Sequence, residues 1–116
     1  MDRLDDIRKK TDVPIVVANH EGFVTEINSR FTTIFGWEEL DIIGKPLTTI
    51  LPESFGDAHN LGFSRFQSTE IATVLNHPLE LMTITKDNQE ILTEHYITAE
   101  KVDEEWFFAA VLRPLV

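Results

Sequence analysis

The stretch that most limits how this chain can fold is INSRFTTIFGWEELDIIGKPL, residues 27–47. It is too apolar for a linker and too broken for one amphipathic helix. Phe31, Ile34 and Phe35 recur at the spacing of one helix face, and Gly36 ends the turn they occupy. Asn28 or Ser29 offers a side-chain oxygen to start that helix. A second short helix is predicted over 38–43, with Leu40 and Ile43 on its apolar side, and Gly44-Lys45-Pro46 stops it. Helices this short are unstable alone, so they require a neighbouring surface.

Strand-like runs at both ends of the chain supply one. VPIVVAN (13–19) is β-branched and apolar, HEG turns with His20 in solvent, and FVTEIN (23–28) completes a hairpin. Asp57 is a cap for a third helix running to about Thr69. Three strands follow: PLELMTIT (78–85), ILTEHYITAE (91–100) and EWFFAAVLR (105–113), joined by turns at Asp87-Asn88 and Asp103-Glu104. The order β-β-α-α-α-β-β-β predicts an α+β fold, a five-stranded antiparallel sheet with short helices packed over one face. Residues 2–10 suggest a further short helix, with Leu4 and Ile7 on one side, that needs a partner surface. The expected organisation is a flanking helix over 1–12 and one domain over 13–116.

Charge narrows the function. Ten Lys and Arg against twenty Asp and Glu give a formal net charge of −10. An acidic domain repels phosphate backbones, so no nucleic-acid partner is expected. Arg8, Lys9 and Lys10 read as a solvated helix end. The chain has no cysteine, which excludes disulfides, thiolate nucleophiles, Cys-type zinc sites and covalent thiol–flavin chemistry. No apolar run reaches membrane-spanning length and the charged N-terminus is unlike a signal peptide, so a cytoplasmic location is expected. The sequence contains no G-x-S-x-G elbow, Walker loop, H-E-x-x-H or Rossmann fingerprint, and the expectation is that it is not an enzyme. The pairs Asp5-Asp6 and Glu38-Glu39 splay apart on a helix and read as solvated faces.

Histidine is the informative residue type, because a chain without cysteine has few other soft ligands. On the helix from 57, His59, Gly62, Phe63 and Phe66 share one face. That face presents an imidazole beside open space to a flat cofactor, or else buries a histidine bonded to a backbone carbonyl. In the fourth strand Ile91, Thr93, His95 and Ile97 alternate with Leu92, Glu94, Tyr96 and Thr98. Glu94 marks its face as outward, so Thr93 and His95 line the interior, where His95 needs a partner such as a protein hydroxyl or a ligand. Trp106 opens the last strand, either as packing or as an indole donor to a bound group.

Taken together, Asn28, Phe31, Phe35-Gly36-Trp37 and Ile43-Gly44-Lys45-Pro46 resemble a PAS domain. LPES, LEL…KDN before a strand, and the closing WFFAAVLRPL extend the resemblance over about residues 12–114. Asn88 replaces the usual turn glycine, and Arg113-Pro114-Leu115 departs from the pattern that leads into an output helix. The resemblance implies a sensory or interaction module, often dimeric through its N-terminal helix and outer sheet face. Such modules are covalently attached to a histidine kinase, a cyclic-dinucleotide enzyme or a chemoreceptor. Some members bind heme, flavin or a metabolite between helices and sheet, and many have no known ligand.

ILPESFGDAHNLGFSRF is further similar to the segment of FixL-type oxygen sensors that carries the heme-ligating histidine. This implies b-type heme on the iron ligand His59, with gas or redox state as the signal. His77 falls at the offset of the second axial ligand in a related heme-binding phosphodiesterase, or is a strand-entry turn. Leu79 stands where FixL-type sensors have their oxygen-contacting arginine. The expected pocket draws on Phe31, Phe35, Ile43, Leu47, Phe55, Phe63, Phe66, Leu81, Thr93, His95, Ile97 and Val111. Flavin fits less well, since the photoreceptor cysteine motif is absent. The alternative is a ligand-free interaction or dimerisation module.

Overall fold

A computed structural model describes residues 4–51 and 79–115. The helix expected from Asp57, and with it His59, Phe55, Phe63, Phe66 and His77, lies outside the described residues.

The order is α1 (Leu4–Arg8), β1 (Ile15–Ala18), β2 (Val24–Ile27), α2 (Ser29–Phe35), α3 (Glu39–Ile42), a 3₁₀ turn (Leu47–Ile50), β3 (Leu79–Ile84), β4 (Glu90–Val102) and β5 (Glu105–Pro114). The strands form one five-stranded sheet in the order β2-β1-β5-β4-β3, every neighbouring pair antiparallel. The β1–β2 hairpin and the β3–β4–β5 meander therefore meet where β1 pairs with β5, Val16 opposite Ala110.

The two faces of the sheet bury different clusters. On the inner face Val16, Ala110 and Leu112 pack with Val24, Ile27, Phe31, Phe35, Ile42 and Ile50. Phe31 and Phe35 place their rings 5.1 Å apart at 57°, a tilted pair of the kind aromatic quadrupoles favour. On the outer face Ile15, Val17, Ala109 and Val111 pack with Ile7 of α1. The partner surface that the flanking helix needs is thus the outer face of its own sheet. Arg8 adds a 2.7 Å ion pair to Glu26 of β2.

Two expected wall residues sit elsewhere. Ile43 is exposed, and Ile42 is the α3 residue that is fully buried. The helix expected over 38–43 ends one residue earlier, at Ile42. The observed one spans four residues, and Ile43 caps it in extended backbone, which turns its side chain off the apolar side. Val111 belongs to the outer cluster, because β5 alternates and Ala110 and Leu112 take the inner positions.

Asn28 ties the inner layer together. Its Oδ1 accepts from Phe31 N (3.0 Å), capping α2, and from Ile15 N (3.1 Å), at the start of β1. Its Nδ2 donates to Val13 O (2.8 Å) and Lys10 O (3.0 Å). All the ordinary capacity of one amide is used, and it joins the α1–β1 connection to the helix after β2. Gly36 ends α2 at φ 82, a left-handed conformation that a β-carbon disfavours. Beside it Lys86 N donates to Phe35 O, and Trp37 Nε1 donates to Ile84 O at 2.9 Å. Lys86 Nζ also meets Asp41 Oδ2 at 2.8 Å, so the β3–β4 turn is fastened to α2 and α3. The free edge of β2 is covered by the Gly44–Leu47 segment through Val24 N→Lys45 O and Gly44 N→Val24 O. Covering an edge in this way removes a template for strand addition.

Candidate functional site on the inner face of β3 and β4

Pairing of β3 with β4 sets Leu79 opposite His95, Leu81 opposite Thr93 and Thr83 opposite Ile91, and Leu81, Thr83, Ile91, Thr93 and His95 face the interior. Thr83 and Thr93 are fully buried and His95 is 5% exposed. Three polar side chains thus share a wall that also carries Leu81, Ile91 and Ile97. The inner cluster below β1, β2 and β5 is apolar throughout. Burying a hydroxyl or an imidazole costs free energy unless it is hydrogen-bonded. Thr83 Oγ1 lies 3.1 Å from His95 Nε2, and Thr93 Oγ1 donates to Ile91 O at 2.9 Å. Either partner of the Thr83–His95 pair can be the donor, depending on which ring nitrogen carries the proton.

The arrangement brings together four of the residues singled out from the sequence: Leu81, Thr93, His95 and Ile97. The hydroxyl expected beside His95 is that of Thr83, which sequence reasoning missed. Alternation along β3 placed Thr83 on the same face as Leu81, and that is the signal that pointed to it. Trp106 is not part of the group. It pairs with Lys101 at the β4–β5 turn, six positions along β4 from His95, about 20 Å at strand rise. There the ammonium of Lys101 stands 6.0 Å from the indole centroid. His20 lies in the β1–β2 turn with Glu21 and Glu105 nearby.

Among the described residues no group of three or more His, Cys, Asp or Glu is arranged to hold a metal ion. Of the described contacts of His95, the one to the Thr83 hydroxyl is a hydrogen bond and not a metal-ligand arrangement. None of the described helices is long and apolar enough to cross a membrane. A surface groove of about 570 Å³ lies between α2 and α3, lined by Asn28, Ser29, Thr32, Thr33 and Glu38 to Leu40. It contains none of the residues expected to bind a ligand.

Comparison with known proteins agrees with this architecture. The family model described as PAS fold matches residues 2–75. An uncharacterized protein of Azorhizobium caulinodans is 26% identical over 102 residues, which are 87% of this chain but 14% of that protein. This chain therefore spans about a seventh of that relative's length. Among solved structures, the PAS domain of an HTR-like protein from Haloarcula marismortui superimposes with a TM-score of 0.75 at 18% identity, covering 97% of this chain and 89% of the other. The PAS domain of the RpfR quorum-sensing receptor from Cronobacter turicensis, in complex with C12:0, gives 0.69 at 16% identity, covering 93% and 98%. Likeness at these identities speaks for the fold, and the matched family model speaks for descent. With the five-stranded antiparallel sheet, the short helices on its inner face and a family match over most of its length, the chain belongs to the PAS fold family.

Proposed function

We propose that this PAS domain is a ligand-sensing module. The inner face of β3 and β4 forms one wall of its binding site, and the site controls a covalently attached output domain. The observation that carries this reading is the buried trio Thr83, Thr93 and His95 on an otherwise apolar wall. An apolar wall with a few convergent polar groups is the usual make-up of a small-molecule site. The output is a histidine kinase, a cyclic-dinucleotide enzyme or a chemoreceptor, and a change of ligand state reaches it as a shift of sheet and helices.

The leading ligand is b-type heme on His59, supported by the similarity of GDAHNLGF and its surroundings to FixL-type sensors. His59 would hold the iron through a neutral imidazole, and the cofactor would supply gas binding or a redox change. His95 and Thr83 would then act as hydrogen-bonding groups on the wall. A purely organic ligand is the other class, since the RpfR domain of similar fold carries C12:0. Expression with heme precursor followed by a visible spectrum separates them. A Soret band that disappears in His59→Ala supports heme. Colourless protein that also refuses added hemin rules it out, and native mass spectrometry then looks for a co-purified acyl ligand that His95→Leu releases.

One observation favours a second reading, a ligand-free interaction module. Thr83 and His95 are hydrogen-bonded to each other, so these buried polar groups need no ligand to be satisfied. Protein that carries no cofactor and no small molecule, yet self-associates, meets that reading.

A further inference from the structure

Helix α3 buries one residue, Ile42, and leaves Leu40 98% exposed. A lone surface leucine is ordinary, but Leu40 lines the 570 Å³ groove between α2 and α3. From α2 the groove takes Ser29, Thr32 and Thr33. Their spacing of three and four puts these hydroxyls on one side of the helix, away from the buried Phe31 and Phe35. Glu38 and Glu39 complete the lining beside Leu40. The charge of the groove is therefore of one sign. Arg30 is not among its lining residues, and Lys86 is already held at 2.8 Å by Asp41. Glu38 N donates to Asp41 Oδ2 at 3.0 Å, which fixes the first turn of α3. The carboxylate of Glu39 has no ion pair or hydrogen bond among the described residues.

We propose that this groove docks a basic amphipathic helix of a partner protein. Leu40 enters a hole between apolar residues of that helix, as a knob sits among four residues of a facing helix. Lysine or arginine side chains flanking the hole meet Glu38 and Glu39, and their N–H groups donate to the hydroxyl oxygens of Ser29, Thr32 and Thr33. In volume the groove falls within the range of small-molecule sites, but those are lined mostly by apolar and aromatic groups. Hydroxyls and carboxylates with a single leucine suit charged side chains that a partner delivers, together with one apolar contact.

Charge selects the occupant. A formal net charge of −10 draws a basic partner toward the domain and opposes a second copy of the chain. The carboxylates of the groove give that attraction a place to end, and Leu40 gives it a register. The contact is exposed, so salt should weaken it, since charges are screened over about 10 Å at 0.1 M ionic strength. A surface of this size belongs with transient contacts, below about 1,200 Å² of total buried area. The docking does not rest on the ligand reading, because neither Thr83 nor His95 lines the groove.

Amide shift mapping on the full chain tests it, by titration with a synthetic helical peptide of about fourteen residues. The peptide carries leucines on one face and arginines flanking them. Shifts are expected to concentrate in residues 28–33 and 38–40. Leu40→Ser should weaken binding about tenfold and Glu39→Lys about fivefold. Glu80→Lys makes the same change of charge on the outer face of the sheet and should stay within about twofold of the wild type. The same peptide with glutamate in place of arginine should not bind. Shifts that map to the sheet overturn the proposal, as does an affinity unmoved by Leu40→Ser. A loss as large in Glu80→Lys as in Glu39→Lys would assign the attraction to diffuse charge and overturn it too. So would spermine binding the same residues as tightly as the peptide, since the groove would then hold a small cation. Absence of any shift at millimolar peptide ends the proposal outright.

Discussion

The two faces of β4 break the same rule in opposite directions. Inward, Thr93 and His95 are polar side chains buried to 5% exposure or less. Outward, Leu92 is an apolar side chain left 43% exposed between Met82 and Leu115. Elsewhere the sheet is consistent: apolar residues of β1 and β5 are covered on both faces, by α2 and α3 on one and by α1 on the other. Places where a sequence departs from its own local logic are where binding is to be sought. Inside, the polar groups find partners within the sheet, Thr83 with His95 and Thr93 with Ile91 O.

The comparison of the covered halves gives the largest expected effect. Phe31 is fully buried under the sheet and packs its ring against that of Phe35 in a tilted pair. Phe31→Ala should cost about 3–5 kcal/mol of global stability, read as a lower urea midpoint with an unchanged slope. Ile7 is equally buried, yet it belongs to a five-residue helix that packs on the outer face of the sheet. Its loss can cost no more than undocking that helix, which is a local event. Ile7→Ala should therefore speed amide exchange over residues 4–10 while moving the midpoint far less than Phe31→Ala does. Equal losses from both variants would mean that α1 and the sheet unfold as one unit.

The inner polar wall comes next in size. Thr83→Val leaves His95 Nε2 without its hydroxyl and should cost about 1–3 kcal/mol. His95→Leu should cost a similar amount for the same reason. The double variant replaces both partners by apolar groups and should be less destabilised than the two losses added together. A coupling of about 0.5–3 kcal/mol is expected from the cycle. Strict additivity would show that the 3.1 Å contact contributes nothing to stability.

How much of this was legible in the sequence depends on the range of the contact. Strand alternation put Thr93, His95 and Ile97 on one face, and the left-handed end of α2 was written in Gly36. Asn28 was readable as a helix cap, but its bonds to Lys10 O, Val13 O and Ile15 N depend on how the chain returns past β1. No local pattern encodes that. The inward residue of α3 was misplaced by one, Ile43 for Ile42, because a single turn has too few residues for a period to show. Val111 was placed inside because its covering partner, Ile7, lies more than a hundred residues away in the sequence. The hydroxyl beside His95 required the β3–β4 register, which fixes Thr83 on the inner face.

The smallest expected effect concerns the clasp that holds the helix layer to the β3–β4 turn. Asp41 is held below the ordinary aspartate value of 3.8, first by its hydrogen bond to Lys86 and then by the backbone N–H of Glu38. Lys86 is held above 10.5, chiefly by the same bond to Asp41. A carboxylate with a depressed pKa contributes stability that is complete above its unfolded pKa and is lost as pH falls through the folded one. A raised ammonium works the other way, contributing fully below 10.5 and losing its share as pH rises through its folded value. Lys86→Met should thus lower the urea midpoint slightly at neutral pH, because the pair is exposed and screened by solvent. The gap from wild type should be flat across the neutral range and close on acidification below the ordinary aspartate pKa. It should close again in strong alkali, above the ordinary lysine pKa. A gap that persists in acid, where Asp41 is protonated, would instead assign the effect of Lys86 to its aliphatic stem packing against Gly36, which its Cβ reaches as a neighbour.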